Sequence, residues 1–168
     1  MNRSEIRIER CRDYEALTSV WLESVRATHD FLREEDIEFY RRKIPAEYMP
    51  QVEVYAVRNE EGELCAFIGL GEETVEMLFV CPAVMGRGYG SLLLEFAVME
   101  KGARKVDVNE QNPRALGFYR RRGFTVTGRD SVDSEGKPYP VLHLELTGAK
   151  KKLLVVTTNN LLTLNLIP

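Results

Sequence analysis

Few residues in this chain of 168 could build a metal, disulfide or membrane site. Its three cysteines, Cys11, Cys65 and Cys81, are odd in number and widely spaced. They read as reduced core thiols, not as a disulfide framework. With only His29 and His143 besides, no metal-ligand spacing occurs, so no metal is expected. Lys and Arg number 23 against 26 Asp and Glu, a net charge of −3. A nucleic-acid binder usually shows a basic face, which this balance argues against. An acidic surface still suits a basic amine or peptide. No apolar run reaches the ~20 residues of a membrane span. Met1 to Glu5 lacks the apolar core of a signal peptide. The expectation is a cytoplasmic protein, monomer or homodimer, with no nucleic-acid or membrane partner. What is present is ordinary for one soluble domain: 44% hydrophobic and 29% charged residues.

One stretch organises the chain. Val75 to Val80 is an apolar, β-prone run; Cys81-Pro82 stops it, and Met85-Gly86-Arg87-Gly88-Tyr89-Gly90-Ser91 follows. Leu92 to Met99 is then a strong helix former. Strand, glycine loop and helix together aim backbone N–H groups and a helix dipole at an anion. The P-loop pattern G-x-x-x-x-G-K-[ST] is absent. The dinucleotide fingerprint G-x-G-x-x-G is not matched either, since the spacing here is G-x-G-x-G. Asp107, ending the next strand, mimics the ribose acid of that fold and keeps a dinucleotide-binding domain as a rival.

Read in order, Ile6 to Ile8 is a short strand. Asp13 caps a helix with apolar positions Tyr14, Leu17, Trp21 and Val25, running towards His29, Asp30 and Phe31. A second helix spans Glu34 to Ile44 and stops before Pro45. Val52 to Ala56, Leu64 to Leu70 and Val75 to Val80 form a meander, with a turn at Asn59 to Glu63. Gly102 ends the helix after the glycine loop. Lys105 to Val108 reads as a buried strand. Asn112 caps a helix with Pro113 at its first position, and Gly123 ends it. Phe124 to Val126 and Val141 to Leu146 are strands joined by a turn at Asp133 to Pro138. The fold class is α/β with a mixed sheet. Residues 149–168, with Lys150 to Lys152 before paired apolar residues, fit neither strand alternation nor a helical face. They read as a tail, 148–168, that is non-native, disordered or an added edge strand.

Two blocks carry a family resemblance. Val80-Cys81-Pro82 followed by Met85 to Gly90 is similar to the V-x-P and [QR]-x-x-G-x-[GA] patterns of the GCN5-related N-acetyltransferase (GNAT) superfamily. Asn112, Ala115, Phe118, Tyr119, Gly123 and Phe124 match its second pattern, N-x-x-A-x-x-[FL]-Y-x-x-x-G-F. The resemblance covers residues 3–147. Ala27 to Leu32, Asn109 to Asn112 and Gly136 to Pro140 resemble the small bacterial YjaB-type branch. Met85 departs from the pattern, standing where the family has Gln or Arg; Arg87 is a candidate to supply the missing charge.

The resemblance implies a GNAT domain of about seven strands and four helices. It also implies acetyl transfer from acetyl-CoA to a primary amine, on a small molecule, a lysine or a protein N-terminus, in a ternary complex. Leu78, Phe79 and Val80 would bind pantetheine through their backbone like an added strand, beside a splayed parallel neighbour at Lys105 to Val108. A backbone N–H there would act as oxyanion donor, worth ~3 kcal/mol. Met85, Gly86, Arg87, Gly88, Tyr89, Gly90 and Ser91 would hold the pyrophosphate, with Asn112 as a further cofactor contact. Tyr119 matches the general acid for the thiolate and also counts among the cofactor contacts. The base stays open between Glu76, Asp107 and a water chain; strict alternation puts Glu76 on one face with Leu78 and Val80. His29, Asp30 and Phe31 are acceptor-side candidates. A non-catalytic acyl-CoA-binding module on the same fold is the alternative function.

Overall fold

The structure, a computed structural model, describes residues 5–147, 152–157 and 160–165. It has the expected α/β class, with seven strands and four α-helices before the tail. The chain divides into two compact units, one of Ile6–Ala103 and one built chiefly from Arg104 onward.

In the first unit four strands pair antiparallel in chain order: β1 (Glu9–Arg10), β2 (Glu53–Arg58), β3 (Leu64–Leu70) and β4 (Thr74–Val80). Helix α1 (Tyr14–Thr28) starts where Asp13 Oδ1 accepts from the Ala16 N–H at 3.1 Å. Its buried stripe is Leu17, Val20, Trp21, Ser24 and Val25, the spacing of one helical face. Helix α2 (Glu34–Lys43) places Glu34, Glu35 and Asp36 in its first turn and Arg41, Arg42 and Lys43 in its last, which complements its dipole. Every residue of β3 after Leu64 is buried, because helices cover both faces. Phe67 and Phe79 face α1, where His29 meets Phe79; Tyr55 meets Phe96 of α3 (Tyr89–Lys101) on the other side. Phe67 is fully buried, and burying a large apolar side chain completely stabilises by ~2 kcal/mol.

Three expectations change here. The first strand is not Ile6 to Ile8 but Glu9–Arg10. Its ladder ends at the Glu9–Ala56 rung, beside an irregularity at Val57/Arg58. Pro45 does not end the helical path at Ile44. The chain widens into a π-helical turn, Ile44–Tyr48, whose longer ring tolerates the missing proline N–H. Along β4 the alternation breaks. Val75 pairs with Leu70 and Met77 with Gly69, so Glu76 is the extra residue of a bulge. Val75, not Glu76, continues the face of Leu78 and Val80.

In the second unit β5 (Lys105–Asn109), β6 (Phe124–Asp130) and β7 (Val141–Leu146) lie in the order β5-β7-β6, all antiparallel. Helix α4 (Pro113–Arg120) begins with Asn112 Oδ1 accepting from the Ala115 N–H at 3.1 Å. Strand β5 is not buried throughout. Val106 and Val108 point inward while Lys105 and Asp107 are exposed, the alternation of a strand with one buried face. In the tail, β8 (Lys152–Thr157) and β9 (Asn160–Asn165) pair with each other in a two-stranded sheet of their own. The expected edge strand therefore has its partner within the tail; the remaining tail residues lie outside the described ones.

Candidate active site

The glycine loop follows directly from β4. The Cys81 N–H still donates to the Cys65 carbonyl at 2.8 Å. Pro82–Val84 then makes one 3-10 turn that leads into the loop. Gly86 and Gly88 both take positive φ, +78° and +91°, a region an L side chain enters only with strain. Gly88 is the N-cap of α3, and no acidic residue stands in the first turn. A Cβ built on Gly86 would meet nothing within 4 Å. A helix N-terminus behind two left-handed glycines, with open space at Gly86, fits a phosphate-bearing group. Arg87 is exposed and Met85 half-buried beside it. Tyr89 turns inward: its side chain is buried and its hydroxyl pairs with Cys65. It anchors the loop, and only its backbone is left for a ligand. Ser91 sits in the first turn of α3.

On the opposite face of β4, His29 ends α1. Its ring lies 5.2 Å from Phe31 and 6.3 Å from Phe79, centroid to centroid. Burial lowers its pKa to about 4, against a smaller raising effect from Asp30. The ring is therefore neutral at pH 7. Asp30 is exposed and Phe31 half-buried. Glu76 is exposed at the bulge, with Oε1 against Gly71.

Tyr119 lies on α4 with 6% of its surface exposed. Phe118 and Phe124 meet its ring edge-on, at 5.1 Å and 5.8 Å. Its hydroxyl bonds no described residue, yet no buried side-chain oxygen or nitrogen among these residues lacks a partner. The phenol tip therefore reaches the surface from a buried ring. Desolvation raises its pKa strongly, with the nearby Arg122 charge pulling the other way. The hydroxyl stays protonated throughout the physiological range, as a proton donor requires. Asn112 spends its carbonyl oxygen on the helix cap.

Asp107 does not stand alone. His143 Nδ1 is 2.6 Å from Asp107 Oδ1, and its Nε2 is 2.8 Å from Asp130 Oδ2. Carboxylates only accept, so both bonds form together only when both ring nitrogens carry protons. The Asp107 contact first, then the Asp130 contact, raises the His143 pKa.

A family model described as an acetyltransferase (GNAT) domain matches residues 50–126. The peptidyl-lysine N-acetyltransferase YjaB of Escherichia coli (strain K12) is 40% identical over 147 residues, 86% of this chain and 97% of the relative. The solution structure of apo-form YjaB from Escherichia coli superposes with a TM-score of 0.76 at 38% identity. It covers 86% of this chain and 99% of that one. This chain belongs to the GNAT family of N-acetyltransferases. The fold also superposes, with a TM-score of 0.64 at 21% identity, on PaiA N-acetyltransferase from Thermoplasma acidophilum in complex with coenzyme A, covering 84% of this chain and 99% of that one.

The activity of a GNAT enzyme is transfer of an acetyl group to an amine. In this acetyltransferase the structure brings His29, Phe31 and Phe79 together around the end of α1. It ties Asp107 to His143 and Asp130, which a linear reading missed. Asp107 and Asp130 lie 36 and 13 residues from His143 along the chain, and only the register of β5, β7 and β6 joins them. The three cysteines are free and buried, as expected of core thiols. No helix among the described residues is long and apolar enough to cross a membrane.

Proposed function

We propose that this GNAT enzyme transfers the acetyl group of acetyl-CoA to the side-chain amine of a protein lysine, in the cytoplasm. The carrying observation is the pair of left-handed glycines, Gly86 and Gly88, leading straight into the N-terminus of α3. The lysine reading is supported by the name of the relative at 40% identity. Acetyl-CoA supplies the thioester. Backbone groups of Gly86 to Ser91 hold its pyrophosphate, with Met85 and Arg87 flanking, and Asn112 makes a further contact. Leu78, Phe79 and Val80 offer backbone to the pantetheine arm. The amine nitrogen attacks the thioester carbon, the C–S bond breaks, and Tyr119 gives its proton to the departing thiolate. Glu76, exposed at the bulge, accepts the proton the amine loses. Asp107, bonded to His143, is the alternative base. His29, Asp30 and Phe31 meet the acceptor.

The experiment joins thermal melting with acetyl-CoA to a panel of lysyl peptides and small amines. Acetyl-CoA should raise Tm by binding the native state only. Gly88→Val should abolish that rise while the protein stays folded, since a β-branched residue strains the left-handed conformation. A folded variant with an unchanged rise would refute the phosphate assignment. Binding without any acetylation would leave a non-catalytic acyl-CoA module.

A further inference from the structure

The end of α1 holds a histidine whose proton position follows from its neighbours. His29 Nδ1 is 2.7 Å from Thr28 Oγ1, and Thr28 Oγ1 is 2.8 Å from the Ser24 carbonyl oxygen. A carbonyl oxygen only accepts, and a hydroxyl has one proton to give. Both contacts are hydrogen bonds at once only if Thr28 donates to Ser24 and the His29 Nδ1–H donates to Thr28. The neutral ring then carries its proton on Nδ1 and a lone pair on Nε2. No described residue bonds Nε2, and no buried side-chain nitrogen or oxygen among them lacks a partner. Nε2 therefore opens outward from a ring packed against Phe31 and Phe79.

We propose that His29 Nε2 accepts a hydrogen bond from the amine of the acceptor lysine, whose aliphatic stem packs along Phe31. The proposal rests on the lysine reading above and adds the group that recognises the reacting nitrogen. A lysine buries its four methylenes on apolar surface and presents its head to a polar partner, which is what this cluster offers. The ring resists protonation, so it orients a neutral amine and is not the final proton store. An amine that donates N–H to His29 keeps its own lone pair for the thioester carbon. The proton released on attack goes elsewhere, to Glu76 in the reading above.

Two measurements test this. Nitrogen-detected NMR of the wild type distinguishes protonated from unprotonated imidazole nitrogens. The expected result is a protonated Nδ1 and an unprotonated Nε2 whose signal moves when a lysyl peptide is added. A proton on Nε2, or a signal the peptide leaves unmoved, would overturn the proposal. In steady-state kinetics, His29→Phe keeps the ring packing and removes the lone pair. The lysyl-peptide KM should rise roughly 3- to 10-fold, the range of one net hydrogen bond, with acetyl-CoA Kd unchanged. His29→Gln, which restores an acceptor oxygen, should recover part of the loss. A folded His29→Phe with wild-type KM would sink the His29 assignment while leaving the lysine reading intact. If His29→Phe does not fold, the NMR result decides alone. A wild type that binds acetyl-CoA but acetylates no lysyl peptide would remove both readings together.

Discussion

Mild acid should loosen this protein through His29 before its carboxylates protonate. An unfolded histidine titrates near 6.5, whereas burial takes His29 down to about 4 in the fold. Between these values the unfolded chain binds a proton that the folded one refuses. Stability is therefore complete above pH 6.5 and is lost as pH falls towards 4. For a shift of this size, single-site linkage amounts to about 2 kcal/mol lost between pH 7.5 and pH 5. In a domain of this length that is a fall in Tm of roughly 4–8 °C. His143 works in the opposite sense. Asp107 and Asp130 raise its pKa, so its contribution is complete below 6.5 and is lost as pH rises through the raised value. The assay is thermal unfolding at pH 5, 6, 7 and 7.5 for wild type and His29→Phe. Comparing the change with pH within each protein cancels any fixed cost of the substitution. Wild type should lose Tm on acidification; His29→Phe should stay level or gain slightly, since His143 remains. Two parallel curves would refute the burial argument for His29.

Three further outcomes are expected. Tyr119→Phe should lower kcat by roughly 10²-fold with acetyl-CoA Kd unchanged, because it removes a proton donor and little else; a fully active variant would make Tyr119 a packing residue. Asp107→Asn should bring the His143 pKa down towards 6.5 in an NMR titration, because the carboxylate that raises it most is gone. If the same variant also stops turnover while folded, the base is Asp107 and not Glu76. Truncation after Gly148 should leave Tm and acetyl-CoA binding unchanged, since the described tail strands pair with each other; an insoluble product would show that the hairpin completes the fold.

Local chemistry was legible in the sequence because it acts over a few residues. Asp13 and Asn112 cap the helices they were expected to cap. Gly88 and Gly102 take the left-handed conformations at the two ends of α3. The spacing of Gly86, Gly88, Asn112 and Tyr119 carried the family. Each of these depends on one backbone conformation or on a hydrogen bond spanning about one helical turn, which side-chain identity alone largely decides. Strand register is different, because it is decided by packing between segments far apart in the chain. Alternation placed Glu76 with Leu78 and Val80; the pairing of Val75 with Leu70 and Met77 with Gly69 moved it onto a bulge. Lys105 to Val108 read as a buried strand, yet Lys105 and Asp107 are exposed and Asp107 reaches His143. His29 was visible as a residue at a helix end, but its neutrality follows from burial beside Phe79, fifty positions away. The chain alone therefore named the groups. The tertiary fold decided which were buried, bonded or left with a lone pair, because desolvation and charge pairing depend on distance in space and not on distance in sequence.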